Sequence, residues 1–157
     1  CLLRQKRNMR ERFYFLFISL ALLFLLPPLI HAQQTVLKPF KRLDKYGLRT
    51  GSGKIIVHPK YDAAFESTEG LAPVILDKKF GFVDTTGKEI VPLKYQSVGY
   101  FNEGMATVQL NGKWGFIDNT GKEVIAFIYQ DADKFSASMA RAKLNDKWGF
   151  IDQTGKV

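Results

Sequence analysis

Asp84, Asp118 and Asp152 stand 34 residues apart, each two residues ahead of a Thr and three ahead of a Gly, in a chain of 157 residues. A ladder of carboxylates could hold calcium, but the spacing of an EF-hand loop is missing. Asp ahead of Gly is instead the pattern of a turn whose N–H groups the carboxylate accepts, so no metal is expected. Gly81 to Lys88 resembles a phosphate-binding loop only superficially. Five residues separate its glycines where four are needed, and Glu89 stands where Ser or Thr is required. Cys1 is the only cysteine, and His31 and His58 are the only histidines. Such a set offers no cysteine nucleophile, no His-rich metal site and no partner for a catalytic base, so neither catalytic residues nor a cofactor are expected.

The aromatic residues are the stronger candidates. Trp114 and Trp148 follow Tyr46 and Phe80 at the same spacing, each directly before a glycine. Such a stripe can be a core seam between units or an exposed ladder that stacks sugar rings or peptide. Tyr95 and Tyr129, followed by Phe101 and Phe135, lie in segments rich in polar residues. They are expected to pack those segments onto a sheet. Trp114, Trp148, Tyr95, Tyr129, Phe101 and Phe135 together form the candidate ligand-contact set.

These positions are fixed by an internal repeat. Gly47, Gly81, Gly115 and Gly149 keep one 34-residue series, and Gly53, Gly87, Gly121 and Gly155 keep a second. The units read 44–76, 77–110, 111–144 and a partial 145–157, with residues 33–43 as a linker. Inside each unit the apolar period is two. Ala106, Val108 and Leu110 share one face, as do Trp114 and Phe116, and Asn111-Gly112 between them is a strong hairpin signal. A helical hairpin repeat of the same length is thereby disfavoured. About three short strands per unit are expected, joined to the next unit by an ordered loop; an open solenoid and a propeller-like ring both remain open. The last unit stops midway, which leads us to expect further sequence beyond Val157.

The formal charge of +8 is concentrated at the start. Five of the 23 basic and one of the 15 acidic residues lie within 1–32, which leaves +4 for the remainder, where both signs alternate. That pattern reads as a solvated surface and not as a nucleic-acid footprint. From Met9, basic residues precede an apolar run from Phe13 to Leu26 and then Pro27-Pro28. This is the layout of a secretory signal helix, with cleavage expected after Ala32 and Met9 as the expected start. The competing reading is an uncleaved inner-membrane anchor over residues 13–30, the run being short of a bilayer span. No context for a lipid-bearing Cys1 is present.

The segments KWGFID with TGKEV at Lys113 to Val124, their partial copy at Lys147 to Val157 and the weaker form at Lys79 to Ile90 resemble the WG-repeat, or KWG-repeat, family of bacterial proteins. Trp114-Gly115 and Trp148-Gly149 are the naming dipeptides, and Gly104 to Ala106 fits as well. The first unit departs from the pattern by lacking Trp-Gly. The resemblance implies an all-β tandem-repeat module, commonly exported and often fused to other domains, and implies no catalytic residue.

The expectation that follows is an exported, non-enzymatic β-repeat binding module, in the periplasm, at the cell surface or outside the cell. Envelope polysaccharide or peptidoglycan is the first expected ligand class, a protein partner the second. The alternatives are a structural spacer carrying another domain and an accessory region of an enzyme.

Overall fold

The computed structural model describes residues 35–157, and the leader readings fall outside them. The described chain is all β, in four antiparallel sheets built in chain order. The first sheet contains β1 (Leu37–Arg42), β2 (Lys45–Thr50) and β3 (Ile55–Tyr61). The second contains β4 (Ala63–Ala64), β5 (Leu71–Leu76), β6 (Lys79–Asp84) and β7 (Glu89–Tyr95). The third contains β8 (Ser97–Val98), β9 (Met105–Leu110), β10 (Lys113–Asp118) and β11 (Glu123–Tyr129). The fourth contains β12 (Asp131–Ala132), β13 (Met139–Leu144) and β14 (Lys147–Asp152).

Two expectations need correction. Residues 37–42 are a strand and not part of a linker over 33–43. They escape notice because Lys38, Phe40 and, across the hairpin, Arg49 replace the small apolar residues found 34 positions later at Ala72, Val74 and Val83. The structural unit is also offset from the sequence units. A boundary after Leu76 cuts the β5–β6 hairpin, whereas a sheet runs from a short first strand such as β4 to the end of β7. That short strand is a fourth element, formed where a loop was expected.

The hairpin turns carry the required chemistry. Asn111 and Gly112 both have positive φ, 51° and 76°, as do Asp77-Lys78 and Asn145-Asp146 in the equivalent turns. This is the geometry of a two-residue turn that matches the strand twist.

The sheets stack face to face in an open series. One cluster joins the first and second sheets around Leu37, Leu48, Tyr61, Ala72 and Val74. A second joins the second and third around Phe82, Tyr95, Phe101, Ala106 and Val108. A third joins the third and fourth around Phe116, Tyr129, Phe135, Ala140 and Ala142. The second and third sheets therefore each have a forward face of large residues and a rear face of small ones. Large against small is how two pleated layers interdigitate at native density. Each fully buried Phe or Tyr contributes about 1.5 to 3 kcal/mol through removal of apolar surface from water.

The recurrent glycine before the middle of β2, β6 and β10 has a steric cause. The last strand of each of the first three sheets (β3, β7 and β11) bulges, shifting register between Phe80 and Phe82 and likewise in the other two. The bulge drives a carbonyl onto the glycine, so that a β-carbon on Gly81 would lie 2.5 Å from the Val91 oxygen. Only Gly admits that approach.

Candidate functional site

The repeated aspartates cap turns. Asp118 Oδ1 accepts hydrogen bonds from Thr120 N (2.9 Å), Thr120 Oγ1 (2.6 Å) and Lys122 N (3.0 Å). Asp84 and Asp152 repeat the set with Thr86 and Lys88, and with Thr154 and Lys156. In the first unit Thr50 Oγ1 takes over, accepting from Lys54 N at 3.2 Å. Donation from the Thr hydroxyls and turn amides holds the Asp118 and Asp152 carboxyls below the usual carboxylate value. At Asp84 partial burial opposes ionisation, but donation from Thr86, Lys88 and Gly87 outweighs it. These carboxylates are thus committed to backbone shape. No cluster of three His, Cys, Asp or Glu able to hold a metal occurs among the described residues.

The same turns seat each unit on the one before. Gly87, at φ 89°, packs against Ile56 and Val57 of β3, and Gly121 against Ile90 and Val91 of β7. At the second–third and third–fourth junctions a carboxylate also reaches across units. Glu69 Oε2 accepts from Gly104 N, and Glu103 Oε2 from Ser138 N, both at 2.9 Å.

The expected contact residues divide by burial. Tyr95, Phe101, Tyr129 and Phe135 are buried and cannot stack a ligand, which corrects their place in the candidate set. Phe101 meets Phe82 edge-on with centroids 4.9 Å apart, and Phe135 meets Phe116 at the same distance. They anchor the inter-unit loops, as their packing role anticipates. Burial also raises the Tyr129 phenol above its usual value. Trp114 is half-buried on its forward face, whereas Trp148 is 49% exposed, with the Arg141 guanidinium 5.2 Å from its ring centroid. The six residues therefore form no common surface.

Among the recesses that reach solvent, two lie at opposite ends of β6. The first is a groove of about 510 Å³ between the second and third units. Glu69, Asp84, Lys88, Glu89, Asn119 and Thr120 supply its polar groups, and Leu71 and Ile90 an apolar floor. Its chemistry repeats, since 34 residues on the chain carries Glu103, Asp118, Lys122, Glu123, Gln153 and Thr154. The periodicity of these residues is legible in the sequence, but each taken singly is an ordinary polar residue of a turn or strand end. The second recess is a cleft of about 90 Å³ lined by Phe65, Pro73, Phe80, Val98, Gly99 and Tyr100. Its lining does not repeat, because 34 positions on Gly99 and Lys134 stand in place of Phe65 and Tyr100, and Asp133 in place of Gly99. Among the described residues no helix is long and apolar enough to cross a membrane.

The family model described as "WG containing repeat" matches residues 46–80, 80–114 and 114–148, three consecutive units with the 34-residue period of the sheets. No curated protein matches the chain.

Proposed function

Since the chain belongs to the WG-repeat family, a set of stacked repeat sheets, we propose that it is a non-catalytic binding module whose ligand is an envelope glycan, lying along the inter-unit grooves. The observation that carries this reading is the recurrence of one polar set, Glu, Lys, Glu, Asn or Gln, and Thr, at consecutive junctions. A polymer of repeating hydroxylated units meets a matching period in such a surface. Carboxylates accept hydroxyl hydrogen bonds strongly, amides both donate and accept, and the Leu71–Ile90 floor suits the apolar face of a sugar ring. The groove volume lies within the ordinary range of ligand sites.

Non-catalytic character is supported by the fate of the ionisable groups. The shifted carboxylates are turn caps or ion-pair partners such as Asp62, which accepts from Lys45 Nζ at 2.6 Å. Export is supported by the charged, apolar and Pro-Pro layout of residues 9–28, which would deliver the module to the envelope.

A protein partner is the second reading, favoured by the Phe65, Phe80 and Tyr100 cleft, whose aromatic walls would take a proline or aliphatic side chain. Calorimetric titration of the full chain with soluble peptidoglycan fragments and envelope polysaccharides tests the glycan reading. Saturable binding weakened about tenfold by Glu89→Gln with Asn119→Ala is the expected result. Binding that survives this pair but is lost on Tyr100→Ala would transfer the function to the cleft.

A further inference from the structure

The charge of the sheets is unevenly placed. Residues 37–61, which form the first sheet, hold seven basic residues and one acidic residue, Asp44, a formal +6, whereas residues 62–157 hold eleven basic and thirteen acidic residues, a formal −2. The alternation of signs expected for the whole segment therefore holds only from Asp62 onward.

Strand alternation sorts these cations. Leu37 and Leu48 point into the core shared with the second sheet, so Lys38, Phe40 and Arg42 of β1 and Lys45, Gly47 and Arg49 of β2 lie on the opposite face. There Lys38 is the cross-strand partner of Arg49, and Arg42 of Lys45, all four exposed. The corresponding pairs in the second sheet are Ala72 with Val83 and Leu76 with Lys79. Like charges set directly opposite one another destabilise a sheet. Among the described residues only Lys45 of the four is paired with a carboxylate, Asp62 at 2.6 Å. Phe40, half-buried, lies between the two pairs, with the Arg49 guanidinium 5.7 Å from its ring centroid. A terminal unit needs a polar outer surface, but Asp or Glu would supply polarity equally and relieve the opposition, so capping alone does not account for a single sign.

The hairpin tip joining the same two strands breaks a second local rule. Leu43 is 90% exposed with φ 54°, a left-handed conformation in which Asp77, Asn111 and Asn145 stand at the equivalent turns. Asp and Asn adopt that region readily, and a bulky apolar residue does not. Neither burial nor turn chemistry explains Leu43. Local rules broken without a gain to the fold mark places where function sets the residue.

We propose that the first sheet docks on an anionic phospholipid bilayer through its Lys38, Arg42 and Arg49 face, with Leu43 entering the headgroup layer. Lipid phosphates supply the counter-charge that the cation pairs lack, and the bilayer supplies an apolar layer for Leu43 and Phe40. A soluble polyanion would answer the cations but leave Leu43 in water. The surface shares no residue with the groove lined by Glu69 and Asn119, and the proposal does not rest on that groove's ligand.

The test places an environment-sensitive fluorophore on Leu43→Cys in the full chain, with Cys1→Ser, and a second on Asn111→Cys as a control at the equivalent turn. The apolar run from Phe13 to Leu26 can enter any bilayer, so lipid composition is the variable. With vesicles of equimolar phosphatidylcholine and phosphatidylglycerol, emission at position 43 should shift to the blue and rise severalfold. With phosphatidylcholine alone it should not, and the label at 111 should stay unchanged in both. Lys38→Gln with Arg49→Gln should cut the response at 43 severalfold while melting at or above wild type, since it removes a like-charge opposition. No response at 43, an equal response to the two kinds of vesicle, or a response that survives the double variant overturns the proposal. So does a label at 43 that stays in water on vesicles while dextran sulfate is retained through Lys38 and Arg49, which would make the partner a soluble polyanion. Unlabelled Leu43→Asn should also melt at or above wild type; a clear loss of stability in it or in the double variant would return these residues to the fold and overturn the proposal.

Discussion

The carbonyl oxygen of Ile125 lies 2.7 Å from the point where a β-carbon on Gly115 would stand. The bulge in β11 and the glycine of the WG dipeptide are therefore one feature, a strand bent onto a residue that has no side chain. The neighbouring Ala126 carbonyl carbon, at 3.1 Å from the same point, leaves no room to slide.

Gly115→Ala is expected to destabilise the protein by about 2 to 4 kcal/mol, because the atom in the way is backbone and the bulge must be rebuilt. Gly149→Ala meets nothing within 4 Å and should fall within about 0.5 kcal/mol of wild type. Chemical denaturation of the two variants side by side measures the difference, and equal losses would refute the steric account.

Asp118→Ala removes an acceptor of three hydrogen bonds and should cost about 1 to 2 kcal/mol, with Thr120→Val costing about 1 kcal/mol. The pH dependence has a definite sign. The folded values of Asp84, Asp118 and Asp152 lie below the ordinary 3.8. Their contribution is present in full above that value and is lost as pH falls through the depressed folded values. Thermal midpoints should therefore be flat down to about pH 5 and fall steeply below about pH 4, less steeply in Asp118→Asn.

The Tyr61 hydroxyl is buried and has no hydrogen-bond partner among the described residues. Tyr61→Phe removes an unsatisfied group without changing the ring, so stability should stay level or rise by up to about 1 kcal/mol. A marked loss in urea unfolding would show that the hydroxyl is satisfied in solution.

Phe135→Ala should cost about 3 to 5 kcal/mol, since the ring is buried between the third and fourth sheets against Phe116. Trp148→Ala should cost under about 1 kcal/mol because half the ring faces water. Unfolding curves of the pair separate core aromatics from surface ones.

Those aromatics also show how far the sequence could be read. Strand period, Asn111-Gly112 turns and the 34-residue register specify the sheets, because each is a local rule that the fold obeys. The capping role of Asp118 follows from the same local chemistry. What escapes is anything decided by the neighbouring layer. Tyr95 and Phe101 sit among polar residues in the chain, yet a second sheet covers them. The groove is hidden for the opposite reason, since Glu69 and Asn119 lie 50 positions apart and meet only through stacking. β1 is missed because Lys38, Phe40 and Arg49 replace the small apolar residues that would have declared it.

The bonds from Glu69 to Gly104 and from Glu103 to Ser138 bear on mechanics as well as on register. Backbone ladders run within each sheet, while successive sheets are held by side-chain packing, these carboxylate links and isolated bonds such as Ser67 N to the Leu37 carbonyl (3.0 Å) and Asn102 Nδ2 to the Phe135 carbonyl (2.6 Å). Tension along the chain would accordingly meet weak planes at regular intervals. Peeling one unit releases 34 residues, or about 110 Å of extended chain. Under load the protein would lengthen in equal steps, as a tether that yields one layer at a time and restacks when slack returns.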